Sequence, residues 1–141
     1  MFFVAEIHAK VDVNASIDKV WEVIADLDNE PKFWKGTKEI RNISSDENTI
    51  KREITIAFRD QKCMQEVKLL PKQKIEAKFT KGIIKGHKIL NLNSTSNGCT
   101  LEAVWNIKLS GMMGMFTGMI TKHIQSGTEQ ALSAIKQEVE K

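Results

Sequence analysis

The chain has 141 residues, 41% of them hydrophobic, and its 21 basic and 18 acidic residues leave a net charge of +3. That length suits a single domain, 1–141, with a real core, and the composition excludes disordered, collagenous and disulfide-stapled classes. The charge is too mild and too evenly spread for a nucleic-acid protein, so no nucleic-acid partner is expected.

Met1-Phe2-Phe3-Val4 lacks a basic flank and meets Glu6 almost at once, so no signal peptide is expected. From Phe3 to Val13 the odd positions are apolar, while Glu6, His8, Lys10 and Asp12 are polar. Period two with one oily face predicts a half-buried strand, with His8 on its solvated side. Ser16 is placed to cap a helix, Asp18 falls in its first turn, and Ile17, Val20, Trp21, Ile24 and Leu27 form its apolar stripe. Asp28-Asn29 stop that helix, and Glu30-Pro31 start a second short one ending near Phe33-Trp34. Trp21 reads as a packing residue; Phe33 and Trp34, after the proline, read as packing or as a pocket wall.

Six extended segments follow, at Thr37–Ser44, Thr49–Phe58, Lys62–Leu70, Lys74–Thr80, Ile83–Asn93 and Cys99–Leu109. Polar turns at regular spacing, with no helices for crossovers, predict an antiparallel meander. Cys99, Leu101, Ala103, Trp105, Ile107 and Leu109 share one phase, as do Ile75, Ala77 and Phe79, so one face is oily. The lysines belong mainly to the other, solvated face. Two residues break the pattern. Arg52 shares a phase with Ile50, Ile54, Ile56 and Phe58, and Gln65 with Cys63, Val67 and Leu69. A buried arginine must be paired. Arg52 therefore either reaches the rim or pairs near Glu53 or Glu66, or else it is a polar anchor inside an oily cavity.

The chain ends on a long helix predicted from Gly111 to Lys141, with Ile124, Gly127, Ala131, Ala134, Ile135 and Val139 on one stripe. Its start is rich in methionine and carries Gly111, Gly114 and Gly118, each weakening the first turns by up to ~1 kcal/mol relative to alanine. Such a segment reads either as an adaptable wall or gate of a cavity, or as packing against the sheet. His123 follows Met119 and Ile120 and reads as a core histidine with one partner, or as a cavity residue.

No GxSxG, glycine-rich phosphate loop, HExxH or Cys/His cluster with metal spacing occurs, so no catalytic residue, cofactor or metal is assigned. Cys63 and Cys99 read as buried free thiols of a reducing compartment. No apolar run reaches the ~20 residues of a bilayer span. A soluble cytoplasmic protein is expected, with at most transient membrane contact.

The order strand, helix, short helix, six-strand meander, long helix, with Val13-Asn14-Ala15-Ser16-Ile17-Asp18-Lys19-Val20-Trp21-Glu22-Val23-Ile24-Ala25-Asp26-Leu27, resembles the START-like superfamily, also called Bet v 1-like or SRPBCC. The closest branch is that of polyketide cyclases/dehydrases and lipid transport, matched at Ala15-Ser16, Val20-Trp21, Asp26-Asp28 and Phe33-Trp34. The resemblance implies an α+β helix-grip fold: a curved seven-stranded antiparallel sheet around a long C-terminal helix, with two short helices between strands 1 and 2. It also implies an elongated apolar cavity and no universal catalytic residue. The leading reading is a non-enzymatic carrier or sensor of a lipid, quinone or polyketide-like molecule. The alternatives are a cyclase, dehydratase or hydrolase using His123 as general base, and a chaperone or assembly module. The expected ligand-binding set is Phe33, Trp34, Arg52, Ile54, Gln65, Phe79 and Trp105, joined from the last helix by Met112, Met115, Phe116, Met119, Ile120 and His123.

Overall fold

The computed structural model describes residues 3–110 and 117–141. The expected helix start at Gly111 and the expected sites Met112, Met115 and Phe116 lie outside the described residues.

Strand β1 (Phe3–Val13) leads into helix α1 (Ile17–Ile24), whose first turn is closed by Ser16 Oγ accepting the Lys19 N–H at 3.3 Å. The expected stripe through Leu27 is not one helix. Asp26 leaves the helical region (φ −78°, ψ 76°), so Leu27 starts a separate 3-10 turn, Leu27–Asn29. Helix α2 (Glu30–Phe33) follows, with Pro31 in its first turn, where a missing N–H costs nothing. The strands are β2 (Thr37–Asp46), β3 (Thr49–Ile56), β4 (Lys62–Leu70), β5 (Lys74–Lys81), β6 (Ile84–Thr95) and β7 (Gly98–Leu109). β3 stops two residues before its expected end because the chain turns into a 3-10 segment, Phe58–Asp60, with Arg59 and Asp60 at positive φ. Helix α3 (Thr117–Val139) closes the chain.

All pairings are antiparallel, in one seven-stranded sheet of order β1-β7-β6-β5-β4-β3-β2. The expected helix-grip α+β fold is therefore the fold of this chain. Register shifts between Thr37 and Glu39, Asn42 and Ser44, and Met64 and Gln65 break the ladders of β2 and β4. Bulges of this kind bend the sheet. Gly86 on β6 adds to the curvature: its φ of 117° and its approach to β7 suit glycine, since a Cβ would lie 2.3 Å from the Asn106 oxygen.

Helix α3, about 35 Å long at 1.5 Å per residue, packs on β1 and against α1 and α2. Polar ties fix both ends: Gln125 Nε2 donates to the His8 carbonyl at 3.0 Å, Lys136 Nζ to the Asp12 carbonyl at 2.7 Å, and Lys32 Nζ to Glu138 at 2.8 Å. His8 is exposed, as its strand phase predicts, and meets Glu102 at 2.6 Å. Cys63 and Cys99 are free and buried, and burial pushes both thiols above their ordinary pKa.

The core divides in two. One cluster joins Val20, Phe33, Leu101, Leu132 and Ile135 at the α1 side; the other joins Ile7, Ile54, Phe79, Ile107 and Ile120. Between sheet and helix, bordering both clusters, lies a cavity.

Candidate functional site: a cavity with a charged floor

The cavity measures about 450 Å³, within the ~300–1,000 Å³ typical of small-molecule sites. Sheet residues Ile54, Ile56, Ala77, Phe79, Ile84 and Trp105 supply much of its apolar wall. Their inward position follows from strand alternation. Trp34 enters from the end of α2, its ring 6.3 Å from that of Trp105, and Phe79 stacks on Trp105 at 6.1 Å. Ile120, Ile124, Gly127 and Thr128 line it from α3. Nothing lies within 4 Å of where a Gly127 Cβ would be. Exposed Lys35, Gly36, His123, Ser126 and Gln130 also border the cavity and frame a mouth between α3 and the loop after α2.

A charged cluster interrupts this apolar wall. Arg52, only 2% exposed, donates through Nε to Gln65 Oε1 at 2.9 Å and through Nη2 to Glu30 Oε2 on α2. Pairing with Glu30 replaces the expected pairing near Glu53 or Glu66. Glu53 binds Arg41 and Lys62 on the outer face, and Glu66 is exposed, because both alternate out of phase with Arg52 and Gln65. The third Arg52 nitrogen, Nη1, is buried without a hydrogen-bond partner among the described residues, and so is Trp105 Nε1.

Lys88 completes the cluster. It shares a phase of β6 with Ile84, Leu90 and Leu92, so it points inward and departs from the solvated face expected for lysines. Its amine sits 3.1 Å from the Trp34 ring centroid and 5.1 Å from that of Trp105. The residue is half-buried, and its amine lies against these rings. Desolvation, with a smaller push from Arg52 and opposed by Glu30, brings its pKa down to about 8.

Several expected site residues thus converge on one cavity: Trp34, Arg52, Ile54, Gln65, Phe79, Trp105, Ile120 and His123. Three placements differ from expectation. Phe33 borders only a separate void of about 20 Å³ and is otherwise core. Met119 is 48% exposed and lies off the cavity, because its direction on α3 is nearly opposite the buried stripe of Ile120, Ile124, Ala131 and Ile135. His123 is exposed at the mouth and is not a core histidine, since a step of three from Ile120 falls at the edge of that stripe. Glu30, Lys88 and Gly127 lie in the cavity but outside the expected set. Lys88 carried a readable signal, its phase with Leu90 and Leu92; Glu30 carried none, because its position depends on how α2 crosses the sheet.

Among the described residues, no group of three or more His, Cys, Asp and Glu side chains could hold a metal ion, and no helix is long and apolar enough to cross a membrane.

A curved sheet gripping a long C-terminal helix around an apolar cavity defines a START-like helix-grip fold. Residues 4–140 match the family described as "Polyketide cyclase / dehydrase and lipid transport", and the chain belongs to that family. Its fold is similar to that of a Thermus thermophilus protein (TM-score 0.81, 12% identity, covering 95% of this chain and 96% of that one). It is also similar to the Zhui aromatase/cyclase of a Streptomyces species (0.78, 15%, 98% and 94%) and to norcoclaurine synthase of Thalictrum (0.70, 14%, 100% and 99%). No curated protein matches the sequence.

Proposed function

We propose that this domain binds, and carries or senses, a hydrophobic or amphipathic small molecule whose acidic head sits against Arg52. The observation that carries this reading is a pair of buried donors without partners among the described residues, Arg52 Nη1 and Trp105 Nε1, on residues lining the same apolar cavity. Buried donors left without partners cost about 1–3 kcal/mol each, and a ligand oxygen would relieve that cost. Arg52 and protonated Lys88 against the single acid of the lining, Glu30, also leave the floor with a net positive charge, which favours a monoanion. An apolar body would contribute ~0.8 kcal/mol per buried CH₂, and a charge-assisted hydrogen bond to the head ~1.5–3 kcal/mol. Affinity would come mainly from the body and selectivity from the head.

The family fits binding and cyclase-type members alike. His123 stands at the exposed mouth with no hydrogen bond or ion pair to orient it among the described residues, which favours the binding reading. The two buried free thiols are consistent with a reducing, cytoplasmic setting. Native mass spectrometry of freshly purified protein, followed by organic extraction, tests the reading. A stoichiometric amphipathic acid supports it. A protein that purifies empty and takes up no fluorescent fatty acid contradicts it.

A further inference from the structure

Lys88 is the one side chain of the charged floor that neither an ion pair nor a hydrogen bond holds among the described residues; its amine meets only the faces of Trp34 and Trp105. Gln65 and Glu30 are both committed to Arg52. Lys88 stands inside the lining of the 450 Å³ cavity, opposite Ala77 and Trp105 in the strand register, and Glu30 is the one carboxylate in that lining. A lysine amine that lines an apolar cavity, unpaired and within the field of another cation, has the setting in which lysines act as nucleophiles toward carbonyl carbon.

We propose that Lys88 captures an amphipathic aldehyde or ketone in this cavity as a covalent imine. The inference rests on the small-molecule reading of the cavity and adds an aldehyde or ketone carbon to the ligand whose acidic head sits against Arg52. The neutral amine's lone pair forms a C–N bond with the carbonyl carbon, and the C=O electron pair moves to oxygen, which takes up a proton. The nitrogen then loses a proton, the carbinol oxygen gains one, and the C–O bond breaks. Water leaves and C=N remains, with no oxidant or reductant required. Solvent exchanges these protons through the cavity mouth, while Trp34 and Trp105 pack against the amine nitrogen.

The amine's lowered pKa supports this chemistry. With a pKa of about 8 against the ordinary 10.5, Lys88 holds more free amine at neutral pH than a solvated lysine. The charged groups that set this balance are Glu30 on α2 and Arg52 on β3; Asp26, before α2, borders the small void that Lys88 also lines.

The test is reductive trapping. The folded protein at neutral pH is treated with one equivalent of decanal and cyanoborohydride, and the decyl adduct is mapped by peptide mass spectrometry. Lys88 should be labelled at least ~10-fold faster than any surface lysine, and the folded Lys88→Arg variant should lose this fast phase. Displacement of a dansylated fatty acid by decanal, without cyanoborohydride, is measured in parallel. If decanal displaces the probe yet Lys88 reacts no faster than surface lysines, the imine is refuted and the binding reading stands. If neither decanal nor the dansylated acid binds, both fall.

Discussion

Arg52 on β3 and Glu30 on α2, 22 residues apart in sequence, form an ion pair inside the cavity, with Gln65 holding the guanidinium from β4 at 2.9 Å. This contact ties the short helix to the floor of the sheet. Removing one partner of a buried pair leaves an uncompensated charge, at a cost of ~3–5 kcal/mol. Glu30→Gln should reach that range, because it leaves Arg52 and Lys88 as two unbalanced cations. Arg52→Met should cost less, ~1–3 kcal/mol, because Lys88 still faces Glu30. The double variant should recover most of the larger loss. Urea unfolding of the three variants checks the order.

Lys88 makes stability depend on alkaline pH. Its folded pKa of about 8 lies below the 10.5 of the unfolded chain, so between these values the unfolded state holds more protons. Stability from this group therefore rises with pH from about 8 to about 10.5, and the full penalty is present below 8. Lys88→Met should stabilise the protein at neutral pH by roughly 1–3 kcal/mol, and the gain should shrink toward the top of that window. Urea titrations of wild type and variant at neutral and alkaline pH would show it. A difference that does not change with pH would contradict the assignment.

Strand alternation carried most of the fold and part of this floor. The inward phases of Arg52 and Gln65 are visible in the sequence because each breaks an otherwise apolar set. Lys88 breaks its set in the same way, but Ile89 and the glycine at Gly86 blur the alternation of β6, and lysine is ordinarily a solvated residue. Glu30 was not legible: its partner is set by where a four-residue helix crosses the sheet, a tertiary fact with no local period. On α3 the stripe was legible but its width was not. Ile120 and Ala131 are buried, whereas Met119 and His123, one and three positions from Ile120, are exposed.

Gly127 keeps space open beside the cavity at some cost to the helix. Glycine inside a helix costs ~1 kcal/mol relative to alanine, and a methyl group here meets nothing within 4 Å. Gly127→Ala should stabilise the protein by about 0.5–1 kcal/mol and leave ligand uptake nearly unchanged. Gly127→Phe should fill part of the cavity and weaken fatty-acid probe binding at least ~10-fold, a loss of about 1.4 kcal/mol, with the fold retained. Thermal unfolding and probe titration together separate the two effects.

Gly86 has the opposite character. Its φ of 117°, and the mere 2.3 Å that would separate a Cβ from the Asn106 oxygen, leave no room for a side chain. Gly86→Ala should cost roughly 2–4 kcal/mol, through backbone strain and displacement of β7 beneath Trp105. Chemical denaturation would reveal it as a lower midpoint with an unchanged slope.

The most direct test of the cavity's role compares one ligand with and without its charge. Dansyl-undecanoic acid and its methyl ester would be titrated into the wild-type protein at neutral pH, followed by fluorescence. The two share an apolar body and differ at the head that Arg52 would hold. The account predicts that the acid binds at least ~10-fold more tightly, a difference of about 1.4 kcal/mol, and that this preference disappears in the Arg52→Met/Glu30→Gln variant. Equal affinity for acid and ester in the wild-type protein, or no binding of either, would contradict it.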